Sequence, residues 1–247
     1  MNLQNIPRDK TIKNIFKATP GHVLVQADYS QAELRVLAVL SGDPWLQNVY
    51  KERKDLHSEV AIEHWGEDYT EEDRVKAKAV NFGIAYGRTE QTLAPDLGIS
   101  LAEARQLLQD WYEPMPYVRK YFDDKIKMAF EQKKSVTPFN RHRNFIVTSR
   151  NKFAIRNEAM NTTIQGTASD LTLFSLIEIE KELRERGLGK VVLTVHDSII
   201  AETIPENQKE VSDIMVRHME AVPKKYLKTD VPFEADIDVG VLWGELD

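Results

Sequence analysis

The sequence contains no cysteine, which excludes disulfide bridges and metal sites built on thiolates. No apolar run approaches the roughly 18 residues that a membrane-spanning helix requires. The N-terminal segment MNLQNIPRDK lacks the apolar core of a secretory signal. From these absences we expect an intracellular protein that acts in the cytoplasm.

Excess positive charge is also lacking, since 39 acidic residues outnumber 33 basic ones and give a formal net charge of −6. This balance argues against a protein that coats nucleic acid through its overall positive charge. Basic residues nevertheless concentrate in the ranges 51–54, 119–134 and 141–156. Each of these tracks is either a solvated surface or a place where phosphates bind.

Apolar patterning places strands at both ends of the chain and helices between them. The segment from Val23 to Ala27 predicts a strand that ends at Asp28, and VVLTV and IIAETI predict a hairpin with Asp197 at its tip. Helices are predicted near 31–42, 55–64, 72–86, 100–112, 116–132, 153–186 and 206–222, with a hairpin or irregular loop at 138–147 and a last strand at 233–241. This order predicts an α+β fold in which one sheet is interrupted by a helical insertion.

The stretch RVKAKAVNFGIAYG repeats functional side chains at intervals of four. Arg74, Lys78, Phe82 and Tyr86 would share one helix face, with two cations followed by two aromatic rings. Cations of this kind hold phosphates and rings stack on bases or sugars, so the face suits a nucleoside triphosphate. The alternative is an ordinary amphipathic helix with buried rings and solvated cations.

The two predicted strand ends each carry an aspartate. If both strands belong to one sheet, Asp28 and Asp197 lie together at its edge. Paired carboxylates suit Mg²⁺, which proteins hold with one or two carboxylates plus substrate phosphates. They therefore suggest two-metal catalysis of phosphoryl transfer, whereas a lone aspartate is more often a turn or cap residue.

Three segments, DYSQAELRVLA, RVKAKAVNFGIAYG and TVHDS, match in order the three polymerase motifs of family A DNA polymerases. NLQNIP, DLH, AMNTTIQGTASD and VGVLWGELD are also similar to the family. The chain resembles the bacterial DNA polymerase I type over its whole length. This resemblance implies an antiparallel-sheet palm formed by residues 1–43 and 151–247, interrupted by a mainly helical fingers subdomain at 44–150.

The resemblance also implies roles for particular residues. Asp28, Asp197 and the backbone carbonyl of Tyr29 would bind two Mg²⁺ ions, and Lys78 would protonate or stabilise the pyrophosphate leaving group. Glu33, backed by Tyr86, would crowd a ribose 2′-hydroxyl and so favour deoxynucleotides. The implied residues for binding the deoxynucleoside triphosphate are Gln31, Glu33, His57, Arg74, Lys78, Phe82 and Tyr86. The implied contacts to DNA are Gln4, Asn5, Arg8, Arg141, Asn161, Gln165 and His196.

The sequence departs from the family pattern at two positions in these motifs. Ser198 stands where the family usually has a second carboxylate, and Asn157 stands where an arginine often contacts the template. Arg156 is an alternative source of that contact. The resemblance begins inside the NLQNIP region, so we expect a separate N-terminal chain to supply a thumb, with or without an exonuclease. A segment of a longer polymerase would have the same sequence.

Three functions compete on this sequence. The first is the catalytic portion of a DNA-templated DNA polymerase that extends a primer 3′-hydroxyl, and intact Asp28, Asp197, Arg74 and Lys78 favour it. The second is a nucleic-acid or nucleotide-binding subunit whose catalysis has decayed, which Ser198 and the missing thumb would fit. The third is a relative of single-subunit RNA polymerases, which Glu33 and the NFGIAYG spacing disfavour.

Overall fold

The computed structural model of the protein describes Ile6, residues 9–85 and residues 87–246. The predictions for Gln4, Asn5, Arg8 and Tyr86 therefore lie outside the described residues. The helices are α1 (Lys10–Lys13), α2 (Ala32–Ser41), α3 (Pro44–Lys51), α4 (Leu56–Trp65), α5 (Glu71–Ala85), α6 (Glu90–Leu97), α7 (Leu101–Tyr112), α8 (Pro116–Glu131), α9 (Lys152–Arg186) and α10 (Gln208–Leu227). The strands are β1 (Val23–Tyr29), β2 (Lys134–Val136), β3 (His142–Asn144), β4 (Lys190–Val195), β5 (Ser198–Thr203) and β6 (Ala235–Gly240).

Four of the strands form one antiparallel sheet in the order β4-β5-β1-β6. In the centre of this sheet, Asp28 of β1 lies opposite Ser198 of β5 on one side and Asp236 of β6 on the other. A tight turn of His196 and Asp197 joins β4 to β5, with His196 at a positive φ of 55°. The predicted α+β fold and the predicted hairpin with Asp197 in its turn are both confirmed.

The two faces of β1 have different roles because successive side chains of a strand point to opposite sides. On one face, the hydroxyl of Tyr29 donates to the carbonyl of Met219 in α10 at 2.6 Å and lies 2.9 Å from the hydroxyl of Ser175 in α9. On the other face, Leu24 packs in an apolar cluster with Ile200, Trp243 and Leu246. Asp28 shares this second face and stands at its far end.

Residue contacts divide the chain into two compact units. The sheet unit comprises residues 1–32, 168–229 and 233–247, and the helical unit comprises residues 33–167 and 230–232. Thus α9 contributes its first half to the helical unit and its second half to the sheet unit. The subdomain boundaries inferred from the family resemblance, after residues 43 and 150, stay a prediction.

A buried carboxylate organises part of the helical unit. Asp43 is fully buried, and its Oδ1 accepts the backbone N–H groups of Trp45 and Leu46 at the start of α3. Its Oδ2 accepts the N–H of Tyr117 in the first turn of α8 at 3.1 Å. One side chain thereby caps a helix and ties it to a second helix start.

The remaining helices largely follow the sequence pattern. Ser100 and Glu103 form a capping box that begins α7 where the sequence predicts a helix. The last helix differs from the prediction, because α10 continues past Val222 through Pro223 to Leu227, and burial of Val222 and Pro223 stabilises this extra turn. Among the described residues, no helix combines the length and apolar character needed to cross a bilayer.

Candidate active site

Asp28 is a partly buried carboxylate at the end of the central strand β1. Its Oδ1 atom is inaccessible to solvent and has no hydrogen-bond partner among the described residues. Burial raises the pKa of Asp28 to about 7, and the negative charges of Asp197, Asp236 and Asp238 add to this effect. Such a carboxylate is poorly satisfied by the protein itself and would gain from a nearby cation.

Asp197 lies beside it in the β4–β5 turn. The backbone carbonyl of Asp197 accepts the N–H of Tyr29 at 3.4 Å, which ties the turn to the end of β1. Burial raises the pKa of Asp197 as well. The sheet therefore brings together the two aspartates that the sequence analysis paired.

The described residues contain no cluster of three or more histidine, aspartate or glutamate side chains arranged to hold a metal ion. Two carboxylates and a backbone carbonyl are nevertheless a donor set that suits Mg²⁺, which completes its shell with water and substrate oxygens. The buried, unpartnered Oδ1 of Asp28 fits this chemistry. Ser198 brings no negative charge to such an ion, and its hydroxyl proton is donated within the hairpin to the carbonyl of Val195 at 2.8 Å.

Helix α5 in the helical unit displays Arg74, Lys78 and Phe82 at intervals of four. Arg74 is held in place, since its Nε and Nη2 atoms both lie 2.8 Å from Oδ2 of Asp55, and its Nη1 lies 3.3 Å from Glu71. Lys78 is exposed and, within the described part of the chain, has no carboxylate within 4.0 Å. The face thus carries one fixed cation and one that can move.

His57 lies in the first turn of α4 beside this face and is only 3% exposed. Its ring centroid lies 5.7 Å from that of Phe82. Burial lowers the pKa of His57, and the positive charges of Lys78 and Arg74 lower it further against the opposing influence of Asp55. The structure therefore gathers His57, Arg74, Lys78 and Phe82, four of the residues that the sequence analysis assigned to the nucleotide.

The loop after α5 has a close approach that only glycine permits. Gly87 has a φ of +72°, and a Cβ at this position would lie 2.8 Å from Oδ1 of Asn157. The neighbouring Arg156 lines a cavity of about 500 Å³ together with Arg88, Arg105 and Arg119. The sequence analysis named Arg156, and Arg119 belongs to its basic range 119–134, but it missed Arg88 and Arg105, whose only sequence signal is their charge.

The other predicted site residues are distributed over both units. Gln31 immediately precedes α2 in the sheet unit, and the exposed His196 precedes Asp197 in the turn. Glu33 on α2, Arg141 before β3, and Asn161 and Gln165 on α9 belong to the helical unit. Asn161 and Gln165 are four residues apart and share a helix face, as expected.

Residues 1–245 match the family described as DNA polymerase family A. DNA polymerase I of Caldicellulosiruptor bescii is 39% identical over 99% of this chain, and the thermostable DNA polymerase I of Thermus filiformis is 35% identical over 99%. The chain spans 30% of the length of each of these two relatives.

A solved structure extends the comparison to three dimensions. It is the POL domain of Pol1 from M. smegmatis in complex with DNA primer-template and dNTP, and it matches 99% of this chain with a TM-score of 0.89 and 30% identity. The matched part is 45% of that protein. Because the family match covers residues 1–245 and the fold agrees with that of a solved polymerase domain at 30% identity, the chain belongs to DNA polymerase family A.

Proposed function

We propose that this chain carries the catalytic centre of a DNA-templated DNA polymerase, which adds deoxynucleoside triphosphates to a primer 3′-hydroxyl. The observation that carries the proposal is the pairing of Asp28 and Asp197 at the end of the central strand β1, with the pKa of both carboxyls raised. Family membership supports it, and relatives over the matched region are named DNA polymerase I.

The proposed metal ligands are Asp28, Asp197 and the backbone carbonyl of Tyr29. Two Mg²⁺ ions held there would lower the pKa of the primer hydroxyl and neutralise the triphosphate. The chain's own contribution is to hold two carboxylates side by side, one at the end of β1 and one in the β4–β5 turn. The Tyr29 hydroxyl supports this geometry from the opposite face of β1, where it donates to Met219 at 2.6 Å.

The nucleotide contacts are proposed for the α5 face. Arg74 is oriented by Asp55 and Glu71 and would bind outer phosphate oxygens, together with His57. Lys78 would follow the pyrophosphate and donate a proton to it or stabilise its charge, since no carboxylate among the described residues holds it back. Phe82 would pack on the incoming sugar and base, and Tyr86 beside the templating base.

The remaining proposed contacts concern the sugar and the DNA duplex. Glu33, with Gln31 near it in sequence, would exclude a ribose 2′-hydroxyl and so select deoxynucleotides. Asn161 and Gln165 would donate to the minor-groove acceptors that every correct base pair presents, which checks shape without reading sequence. Contacts to the primer end and the DNA backbone are proposed for His196, Arg141, Gln4, Asn5 and Arg8.

A firm grip on the duplex is proposed to come from outside this chain. The net charge of −6 offers little general attraction for DNA, whose affinity depends on many phosphate contacts. We therefore propose an N-terminal polymerase chain that supplies a thumb, with or without an exonuclease. The proposed setting is the cytoplasm of a bacterial or phage-infected cell.

Primer extension tests the function directly. The chain is mixed with primer-template DNA, Mg²⁺ and the four deoxynucleoside triphosphates, with and without an N-terminal polymerase segment. We expect short, distributive products from the chain alone and longer products when the segment is added. If nucleotide binding is measurable but no extension occurs under either condition, the polymerase function is wrong and the chain is a binding subunit whose catalysis has decayed.

A further inference from the structure

Three buried side chains of the helical unit form a hydrogen-bonded series that ends at His57. Trp111 of α7 donates its Nε1–H to Oδ1 of Asn81 at 2.5 Å. The amide nitrogen of Asn81 lies 2.8 Å from Nδ1 of His57. Trp111, Asn81 and His57 are 2%, 0% and 3% exposed, so water does not compete for these bonds.

The chemistry of the three groups gives this series one direction. An indole nitrogen is only a donor, so the Asn81 atom that faces Trp111 must be the carbonyl oxygen. The amide NH₂ of Asn81 therefore faces His57 and donates to it. Nδ1 of His57 must then accept with its lone pair, and the proton of the neutral ring must lie on Nε2.

From this geometry we infer that Asn81, oriented by Trp111, is a positioning residue that fixes His57 as a neutral Nε2–H donor to a phosphate oxygen of the incoming nucleotide. The Nε2 atom has no hydrogen-bond partner among the described residues and so remains available. The inference rests on the proposed nucleotide-binding role of His57. It adds two residues, Asn81 and Trp111, to that role.

The surroundings of His57 agree with a neutral ring. Protonation would place a second N–H on Nδ1, directly against the amide hydrogens of Asn81. The charged groups that influence the ring are Asp55 before α4 and Arg74 and Lys78 on α5, while α7 presents the uncharged Trp111. Burial is the largest cause of the lowered pKa of His57, and the positive charges of Arg74 and Lys78 lower it further.

A fixed tautomer matters for a phosphate ligand. The other tautomer would present a lone pair at Nε2, which repels a phosphate oxygen instead of binding it. The imidazolium form would bind phosphate but would make affinity depend on pH near neutrality. Asn81 thus allows His57 to donate over the whole neutral range without a change of charge.

The first experiment observes the tautomer without any nucleotide. The full chain is labelled with ¹⁵N at histidine, and long-range ¹H–¹⁵N correlation spectra are recorded at several pH values between pH 6 and pH 8.5. We expect His57 to show a protonated Nε2 and an unprotonated Nδ1 throughout. A protonated Nδ1 in the unmodified chain would overturn the inference.

The second experiment changes the partner of Nδ1. In Asn81→Asp the carboxylate accepts from Nδ1–H, so the neutral ring loses its proton at Nε2 and regains a donor there only as imidazolium. Binding of dCTP with Mg²⁺ should weaken about tenfold at alkaline pH, the scale of a lost hydrogen bond to a charged group, and recover at acidic pH. The control is Asn48→Asp, which makes the same charge change at an exposed position of α3. At each pH the dCTP affinity of Asn81→Asp is divided by that of the control, which cancels the effect of the nucleotide's own titration.

The outcomes separate this inference from the proposed function. Equal pH profiles for Asn81→Asp and Asn48→Asp would overturn the inference, even with dCTP bound. If Asn81→Asp fails to fold, Trp111→Phe removes the donor that orients Asn81, and a mixture of His57 tautomers is expected; a single Nε2–H form would contradict the inference. Failure of dCTP to bind the unmodified chain, with the Nε2–H tautomer present, would instead contradict the nucleotide-binding function.

Discussion

The sheet unit and the helical unit differ in how the charges of their candidate site residues are balanced. At the end of β1, Asp28 has three other carboxylates in its electrostatic surroundings and no described cation, so its pKa rises to about 7. On α5, Arg74 is paired with Asp55 and Glu71 before any ligand binds. One unit concentrates negative charge, and the other balances its fixed cation internally.

This difference shows what each unit lacks. The carboxylates of the sheet unit gain most from a divalent cation, because like charges and burial both disfavour their ionised forms. The helical unit keeps a single described cation on the α5 face without a carboxylate partner, Lys78, which can follow an anion. Changes that remove the negative pair or the mobile cation should therefore have larger effects than changes to their surroundings.

Asp197→Ala should have the largest effect. It removes one of two carboxylates from the reacting centre, so we expect primer extension to fall by roughly 10³-fold or more, the scale for a preorganised electrostatic group. DNA binding, measured by fluorescence anisotropy, should stay nearly unchanged. The control Asp213→Ala removes an exposed carboxylate of α10 whose single ion pair within the described part of the chain is with Lys209 at 2.7 Å, and it should extend normally. Substantial extension by Asp197→Ala would remove this residue from the metal site.

Lys78→Ala tests the mobile cation of α5. Loss of a proton donor to the leaving group should lower kcat by about 10²-fold, within the usual range for general acid catalysis, with a smaller change in the KM for nucleotide. Lys76→Ala is a matched control, because Lys76 on the same helix is held by Glu72 at 3.0 Å and Asp73 at 3.6 Å. Equal rates for the two variants in single-turnover extension would deny Lys78 a catalytic role.

Asp28→Asn tests the crowded carboxylates through stability. Because the pKa of Asp28 is raised from 3.8 to about 7 in the folded chain, the folded state holds a proton that the unfolded state has lost between these values. Wild-type stability from this group is thus greatest at low pH and falls as pH rises to about 7. Relative to wild type, the asparagine variant should gain about 2 kcal/mol over this window, a value reduced for partial exposure.

Urea unfolding in the presence of EDTA measures this difference, and added Mg²⁺ sharpens it. Mg²⁺ should restore the stability of the wild-type chain at pH 8 and have little effect on the stability of Asp28→Asn, because only the wild-type chain offers both carboxylates. Parallel stability curves for the two proteins from pH 4.5 to pH 8 would show that Asp28 ionises normally. Asp213→Asn serves as the control for loss of an exposed carboxyl.

Much of the fold follows from local sequence. Periodic apolar residues and cap residues predict α4, α5, α7, α8 and α9 within a few residues, because these signals act over one or two helical turns. The short helices α3 and α6 were not predicted. In α6, Pro95 lies inside the helix and weakens the helical pattern, and α3 is stabilised by Asp43, whose contact with Tyr117 joins distant parts of the chain.

The site was predictable in its residue types and less so in its electrostatics. The pairing of Asp28 with Asp197 followed from two strand ends, which sequence patterns show. The raised pKa of Asp28 depends first on burial in the folded sheet and then on the charges of Asp197 and of β6. The tautomer of His57 depends on Asn81 and Trp111, which lie 24 and 54 positions away along the chain. Such contacts between distant residues have no local signature.

Ser198→Ala should have the smallest effect, and it tests whether extension requires a polar side chain at this position of the sheet unit. Ser198 is 7% exposed, and its hydroxyl serves the hairpin by donating to Val195 at 2.8 Å. We expect a loss of about 1 kcal/mol in stability, the usual value of such a bond, and extension within threefold of wild type. Ser198→Asp is the contrasting variant, because a carboxylate opposite Asp28 adds negative charge to the crowded face. Without metal, the added carboxylate should raise the pKa of Asp28 further, so that the stability of the chain falls at a higher pH than in Ser198→Ala. Identical pH profiles of stability for the two variants would show that a charge at residue 198 does not act on Asp28 and Asp197.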